Sequence, residues 1–176
     1  MADFPEHDAH MTDPERADLL DTLAKHRGFM TQTVRGITDE QAAQRTTVSA
    51  LCLGGLIKHV TRMEERWLGF IQNGPDAMAM TPDSYEAHAA SFRMEPTETL
   101  ASIVAGYEEV SRRTDELVTA LPSLDASQPL PEAPWFPPGT TWSARRVLMH
   151  ILAETAQHAG HADIIREALD GAKTMG

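Results

Sequence analysis

The sequence predicts an all-α fold, a four-helix bundle with a long crossover between its second and third principal helices. Three observations carry that expectation. Apolar residues recur at three- and four-residue spacing through four long stretches, no apolar and polar alternation of strand type occurs, and proline-dense segments follow the second and third stretches. Long helices with one long connection are a common bundle arrangement. No repeat of fixed period and no break in composition divides the chain, so residues 1–176 read as a single domain, with 1–11 polar and loose.

Thr12 or Asp13, followed by Pro14 and Glu15, is a helix start, because proline suits the first helical position, where its missing N–H is harmless. The first long helix runs to about Arg35. Its apolar face is Leu19/Leu20, Leu23, Phe29/Met30 and Val34, and Gly36 terminates it. Thr38-Asp39-Glu40-Gln41 has the pattern of a capping box opening a short helix that ends before Thr46. The second long helix spans about 50–72. Its face is Leu56, Val60, Met63, Trp67 and Phe70/Ile71, Gly54 and Gly55 permit a close backbone approach or a kink, and Asn73-Gly74-Pro75 stops it. The charge run Glu64-Glu65-Arg66 reads as a solvated face or as local pairing. From Pro75 to Pro96 the chain crosses over, with a short helix around Tyr85 to Phe92. The third long helix is capped by Thr97 and ends near Leu121, its core face being Leu100, Ile103/Val104, Tyr107, Val110, Thr114, Leu117/Val118 and Leu121. The segment LPSLDASQPLPEAPWFPPGTT is too rich in proline for a helix, and its Trp135 and Phe136 either cap one end of the bundle or line the mouth of a pocket.

Composition narrows the function. A net charge of -11 and a lack of any basic stripe argue against nucleic acid and against anionic membrane surfaces. One cysteine, Cys52, excludes an internal disulfide and fits a reducing cytoplasm, and it reads as a small buried apolar residue or as a thiol near a helix start. The N-terminal stretch lacks a positive region followed by an apolar one, and no run of about 18 apolar residues occurs, so a soluble cytoplasmic protein is expected.

The last helix, Thr141 to Gly171, carries the informative chemistry. Val147, Ile151, Glu154, His158, His161/Ala162, Ile165 and Leu169 step along one stripe expected to face the core. Burying a carboxylate and imidazoles costs several kcal/mol unless each is hydrogen-bonded, paired or ligated. Glu154 and His158 are four apart, so their heads lie roughly 5 to 6 Å apart on adjacent turns and can share a cation. A tightly held divalent metal needs about three protein ligands. His59, the one histidine of the second long helix and at the edge of its apolar face, is the donor that completes a two-histidine, one-carboxylate set.

That combination resembles the DinB/YfiT-like superfamily of metal-binding four-helix bundles, in particular its mini-circle protein branch. The matching residues are LGGLIKHVTRMEERW, Leu53 to Trp67, and HILAETAQHAGHADIIRE, His150 to Glu167. Many members supply H-x-x-x-H from the last helix, whereas this chain has Glu154-x-x-x-His158. The substitution is similar to the arrangement in the N-terminal domain of mycothiol-dependent maleylpyruvate isomerase. The resemblance implies a DinB-like bundle holding a divalent metal at His59, Glu154 and His158, with zinc or nickel favoured over iron or manganese. It implies a metal-dependent thiol S-transferase that activates mycothiol, or another low-molecular-weight thiol such as bacillithiol or glutathione, against a small electrophile. It also places Arg66 and Arg166 near the site. Bundles of this sort often form homodimers.

Other readings stay open beside it. Glu154 and His158 can be a hydrogen-bonded pair with no metal, and His59 a partly exposed helix residue. His161 can be an extra ligand, an outer donor that orients the site, or a substrate contact. His150 reads as a packing residue, Trp67 and Trp142 as core, and His7, His10, His26 and His88 as surface. From a different functional class, the chain can be a non-catalytic metal-binding or stress-responsive bundle. A di-iron site fares worse, because it needs Glu-x-x-His on two helices and further carboxylates, and no phosphate-binding glycine loop or serine nucleophile motif is present.

Overall fold

Asp13 opens the first helix, α1 (Pro14–Gln32), its carboxylate accepting from the Glu15 amide at 3.1 Å ahead of Pro14. The computed structural model describes residues 13–79 and 81–174, side chains of 82–84 excepted. The expectations for residues 1–11, His7 and His10 among them, lie outside the described residues. After α1 come α2 (Asp39–Ala43), α3 (Leu53–Asn73), a 3-10 turn Gly74–Met78, α4 (Pro82–Ser91), α5 (Leu100–Ala120), the short strands β1 (Ser127–Pro129) and β2 (Thr141–Ser143), and α6 (Ala144–Asp170).

These elements make an all-α helical bundle. The four long helices among the described residues are α1, α3, α5 and α6; α1 packs on α6, and α3 lies against both α5 and α6. Leu53, Leu56, Ile57 and Val60 of α3 are fully buried and meet Met30, Tyr107, Ala162 and Ile165 in one cluster. A second cluster, at the other end of α3, joins Trp67 and Phe70 to Leu23, Val147 and Ile151. Each fully buried aliphatic or aromatic side chain contributes roughly 1.5 to 3 kcal/mol, and these two clusters fix how α3 and α6 face each other.

Several boundaries differ from expectation, each for a local reason. The first helix ends at Gln32 rather than Arg35, and Gly36, at φ 73°, lies in the turn beyond it. Thr99, not Thr97, caps α5, because its side chain accepts from the Ser102 amide while Ser102 returns the bond to the Thr99 amide. The last helix starts at Ala144 with Ser143 as its cap. Thr141 to Ser143, expected to be helical, pairs antiparallel with Ser127 to Pro129, so the expectation of no strand is corrected. This two-stranded clip closes the proline-dense loop on itself, with Leu130 donating to the Thr140 carbonyl at 2.9 Å. The capping box of Thr38 and Gln41 is present as expected.

The largest correction concerns charge. Glu64, expected on a solvated face or in local pairing, is 0% exposed and ion-paired with the distant Arg27 of α1, itself buried. Arg27 also reaches Asp115 of α5 at 2.8 Å. Burial pulls the Arg27 guanidinium down, but Glu64 and Asp115 outweigh it and hold the group above its ordinary value. The spacing signal existed, since Glu64 lies four residues after Val60 and three before Trp67, on the apolar face. Glu65 is exposed and pairs with Arg113. His26, expected at the surface, is half-buried edge-on to Phe29. Arg166 does not approach the candidate site: it donates to the Thr33 and Arg35 carbonyls at 2.8 and 2.9 Å and so pins α6 to the end of α1.

Candidate metal centre

His59 is 8% exposed, deeper than its expected place at the edge of the α3 face. What buries it is set one turn earlier. A Cβ on Gly55 would lie 2.1 Å from the carbonyl oxygen of Phe92, so only glycine lets the chain leaving α4 come this close to α3. The Phe92 ring therefore stacks on the His59 imidazole, centroids 4.0 Å apart and 22° from parallel.

The same approach brings Ser91, 1% exposed, to His59, with Oγ 3.3 Å from Nδ1. The Ser91 hydroxyl donates its single proton to the His88 carbonyl at 2.6 Å. Toward His59 it is left with lone pairs, so His59 donates from Nδ1–H and keeps the Nε2 lone pair free. Burial first, then His158 and His88, push the His59 pKa down to about 4, so the ring is neutral at pH 7. A neutral imidazole with one nitrogen anchored and the other available is the ligating form.

α6 supplies the facing side. Its buried stripe is Val147, Leu148, Ile151, Thr155, Ala159, Ala162 and Ile165, which corrects the expectation that Glu154 and His158 lie on that stripe. The small Thr155 and Ala159 let α6 pack closely, while Glu154 and His158, one residue earlier in each turn, are half-buried at its border. His158 Nε2 lies 3.5 Å from Glu154 Oε2, and that contact is the main cause holding the Glu154 carboxyl below its ordinary value. On its other side His158 Nδ1 lies 3.4 Å from Nδ1 of His161.

One ligand atom each from His59, Glu154 and His158 falls within 4.8 Å of the others. Donors around one cation with bonds of ~2.0 to 2.2 Å lie somewhat closer together, a contraction within reach of small side-chain rotations. The donor set, two imidazoles and a carboxylate, suits a borderline divalent cation. His59 and Glu154 face a cavity of about 690 Å³ also lined by Arg62, Arg66, His88 and His150.

The other expected histidines sort themselves around this cavity. His88 is exposed as expected, yet its ring meets that of His59 edge-on at 5.5 Å. His150 packs edge-on against Trp67 and Trp142, at 4.9 and 5.4 Å. Trp67 is core; Trp142 is half-buried and stacks on it at 4.8 Å. Cys52 is buried. The sequence gives neither Ser91 nor Phe92 a place at the site. His88 and Phe92 share a face at i, i+4 spacing, which could have flagged them, but nothing in the sequence marks Ser91.

Fold and cluster together define an all-α helical bundle with a His, Glu, His constellation able to hold a cation. The family described as mycothiol S-transferase matches residues 18–171, most of the chain, and the protein belongs to that family. No curated protein matches the chain significantly. No described helix is long and apolar enough to cross a membrane.

Proposed function

We propose that this protein is a metal-dependent thiol S-transferase that joins mycothiol to a small electrophile, with His59, Glu154 and His158 as the ligands of a divalent cation. The observation that carries the reading is the convergence of those three donors within 4.8 Å, two of them, His59 and Glu154, at the wall of a cavity, in a chain of the mycothiol S-transferase family. A divalent cation held there, zinc or nickel before iron or manganese, would lower the pKa of a bound thiol so that sulfur is an anion at neutral pH.

The chain's own residues do the rest. Ser91 holds the His59 tautomer through Nδ1 on one side of the site, and on the other His161 Nδ1 lies against His158 Nδ1, where it can orient that ring. Glu154 balances charge as well as ligating. Arg62 and Arg66, one turn apart on α3, line the cavity and favour the anionic form of an incoming thiol. In the transfer itself the sulfur electron pair forms a C–S bond and the thiol proton passes to solvent. A leaving group such as chloride departs with its bonding pair. The setting expected is the cytoplasm, with no nucleic acid or membrane partner.

The test is turnover of 1-chloro-2,4-dinitrobenzene with mycothiol by the zinc- or nickel-loaded chain, alongside metal titration by calorimetry. Metal-dependent turnover is the expected result, and Glu154→Gln should lose metal affinity by an order of magnitude or more, since an amide turns a donor toward the cation. Tight metal binding without turnover of any electrophile would instead identify a non-catalytic metal-binding bundle. If Glu154→Gln binds metal as tightly as wild type, Glu154 is not a ligand and His161 becomes the better third donor.

A further inference from the structure

Among the described residues two aromatic side chains are strongly exposed, Tyr85 at 56% and Trp135 at 60%. They come from different parts of the chain, Tyr85 from α4 and Trp135 from the loop between β1 and β2, yet both border one cavity of about 570 Å³. Leaving a large aromatic ring in water is unfavourable, and two of them converging on one cavity is the arrangement that a bound apolar ligand would relieve.

Further aromatic rings line that cavity, beside Met78, Ala79, Pro131 and Ala133 and the charged Arg66 and Glu132. Phe136 meets Trp135 at 6.2 Å and Trp142 at 5.9 Å, both edge-on. The faces of Trp142 are taken, one by Trp67 and one by the Arg146 guanidinium 4.8 Å from the ring, so Trp142 is fixed as wall. The Trp135 ring contacts Phe136 and is otherwise exposed, on a loop stiffened by Pro134, Pro137 and Pro138 and tied off by the β1 and β2 clip. A stiff loop holds an open ring face at little entropic cost on binding.

This cavity adjoins the one that His59 and Glu154 face, because Arg66, Trp67, Met78, Ala79, His88 and His150 line both. We infer that the aromatic cavity is the electrophile subsite, and that it takes a planar, electron-poor aromatic electrophile, stacked on Trp135 and Tyr85 with its reactive carbon toward His150 and the His59, Glu154 and His158 cluster. Electron-rich indole and phenol faces attract electron-poor rings, and the cavity volume is in the range of small-molecule sites, ~300 to 1,000 Å³. The inference rests on the S-transferase reading for the ligand's reactivity but not for its binding, which makes the two separable.

The probe is 1,3-dinitrobenzene, which has the ring and nitro groups of chlorodinitrobenzene but no leaving group. Equilibrium dialysis against the full chain should show saturable binding that weakens about three- to tenfold in Trp135→Ala and in Tyr85→Ala, the range expected for one lost aromatic pair. Val48→Ser, at an exposed valine that borders neither cavity, should bind as wild type. In the transfer assay the ratio of kcat/KM for chlorodinitrobenzene to that for iodoacetamide should fall by a similar factor in Trp135→Ala. Unaltered dinitrobenzene binding in both aromatic variants overturns the subsite, even if turnover shows the S-transferase reading to be right. Binding that depends on Trp135 in a protein with no turnover of any electrophile leaves the subsite standing and removes the S-transferase reading.

Discussion

The Phe92 carbonyl presses on Gly55 of α3 so closely that a Cβ there would sit 2.1 Å from its oxygen and 2.7 Å from the Arg93 nitrogen. These are backbone atoms, which cannot swing aside as a flexible side chain can. Gly55→Ala should therefore destabilise the fold by about 1 to 3 kcal/mol, the usual range for overpacking, despite alanine's better helix propensity. It should also weaken metal binding, since the displaced segment carries Ser91 and Phe92 off His59. Thermal denaturation and calorimetric metal titration test both; a variant as stable as wild type would contradict the close approach.

Ser91 gives a finer test of the site. Ser91→Ala removes the acceptor for His59 Nδ1–H and releases the tautomer, and outer partners of this kind typically matter by 10- to 100-fold in metal affinity. The expected result is that loss together with a fall of a few degrees in the melting temperature of the chelated protein, since the His59 Nδ1–H is left buried without an acceptor. Metal affinity equal to wild type would show that His59 is oriented by Phe92 stacking alone.

The buried Arg27 and Glu64 pair makes a prediction away from the site. Arg27→Met leaves the Glu64 carboxylate, 0% exposed, without its buried partner, and should destabilise by about 3 to 5 kcal/mol. The double variant Arg27→Met with Glu64→Leu should recover most of that loss, because the desolvation of both charges is then removed. Urea denaturation of the three proteins checks it, and a double variant no more stable than Arg27→Met alone would contradict the account.

Acid stability of the metal-free protein follows from His59. Its folded pKa is depressed to about 4 from an unfolded value of 6.5, so below pH 6.5 the unfolded chain binds the proton more readily. The stability this contributes is present above pH 6.5 and lost as the pH falls toward 4. His150, also lowered by burial, adds in the same direction. Melting temperatures of chelated protein should fall steadily between pH 6.5 and 4.5, and less steeply in His59→Asn. Parallel curves for the two proteins would show that His59 is not buried as a neutral ring.

Much of this molecule was determined locally. The α3 and α5 faces, the capping box at Thr38 and the stop at Asn73-Gly74-Pro75 follow from periodicity and backbone chemistry within a few residues, which sequence carries directly. The spacing of Glu154 and His158, and the choice of His59 to complete them, also came from the sequence, because helical geometry places residues four apart side by side. Tertiary structure alone decided the rest. Glu64 lay on an apolar face by spacing, but only the arrival of Arg27 from another helix makes its burial tolerable. Ser91, Phe92 and His88 reach His59 because Gly55 admits a distant backbone, and Trp135 meets Tyr85 across a cavity because β1 and β2 fold the proline-rich loop back. Such contacts join residues tens of positions apart, and what brings them together is the packing of whole helices, a sum over many weak contacts that no short stretch of sequence contains.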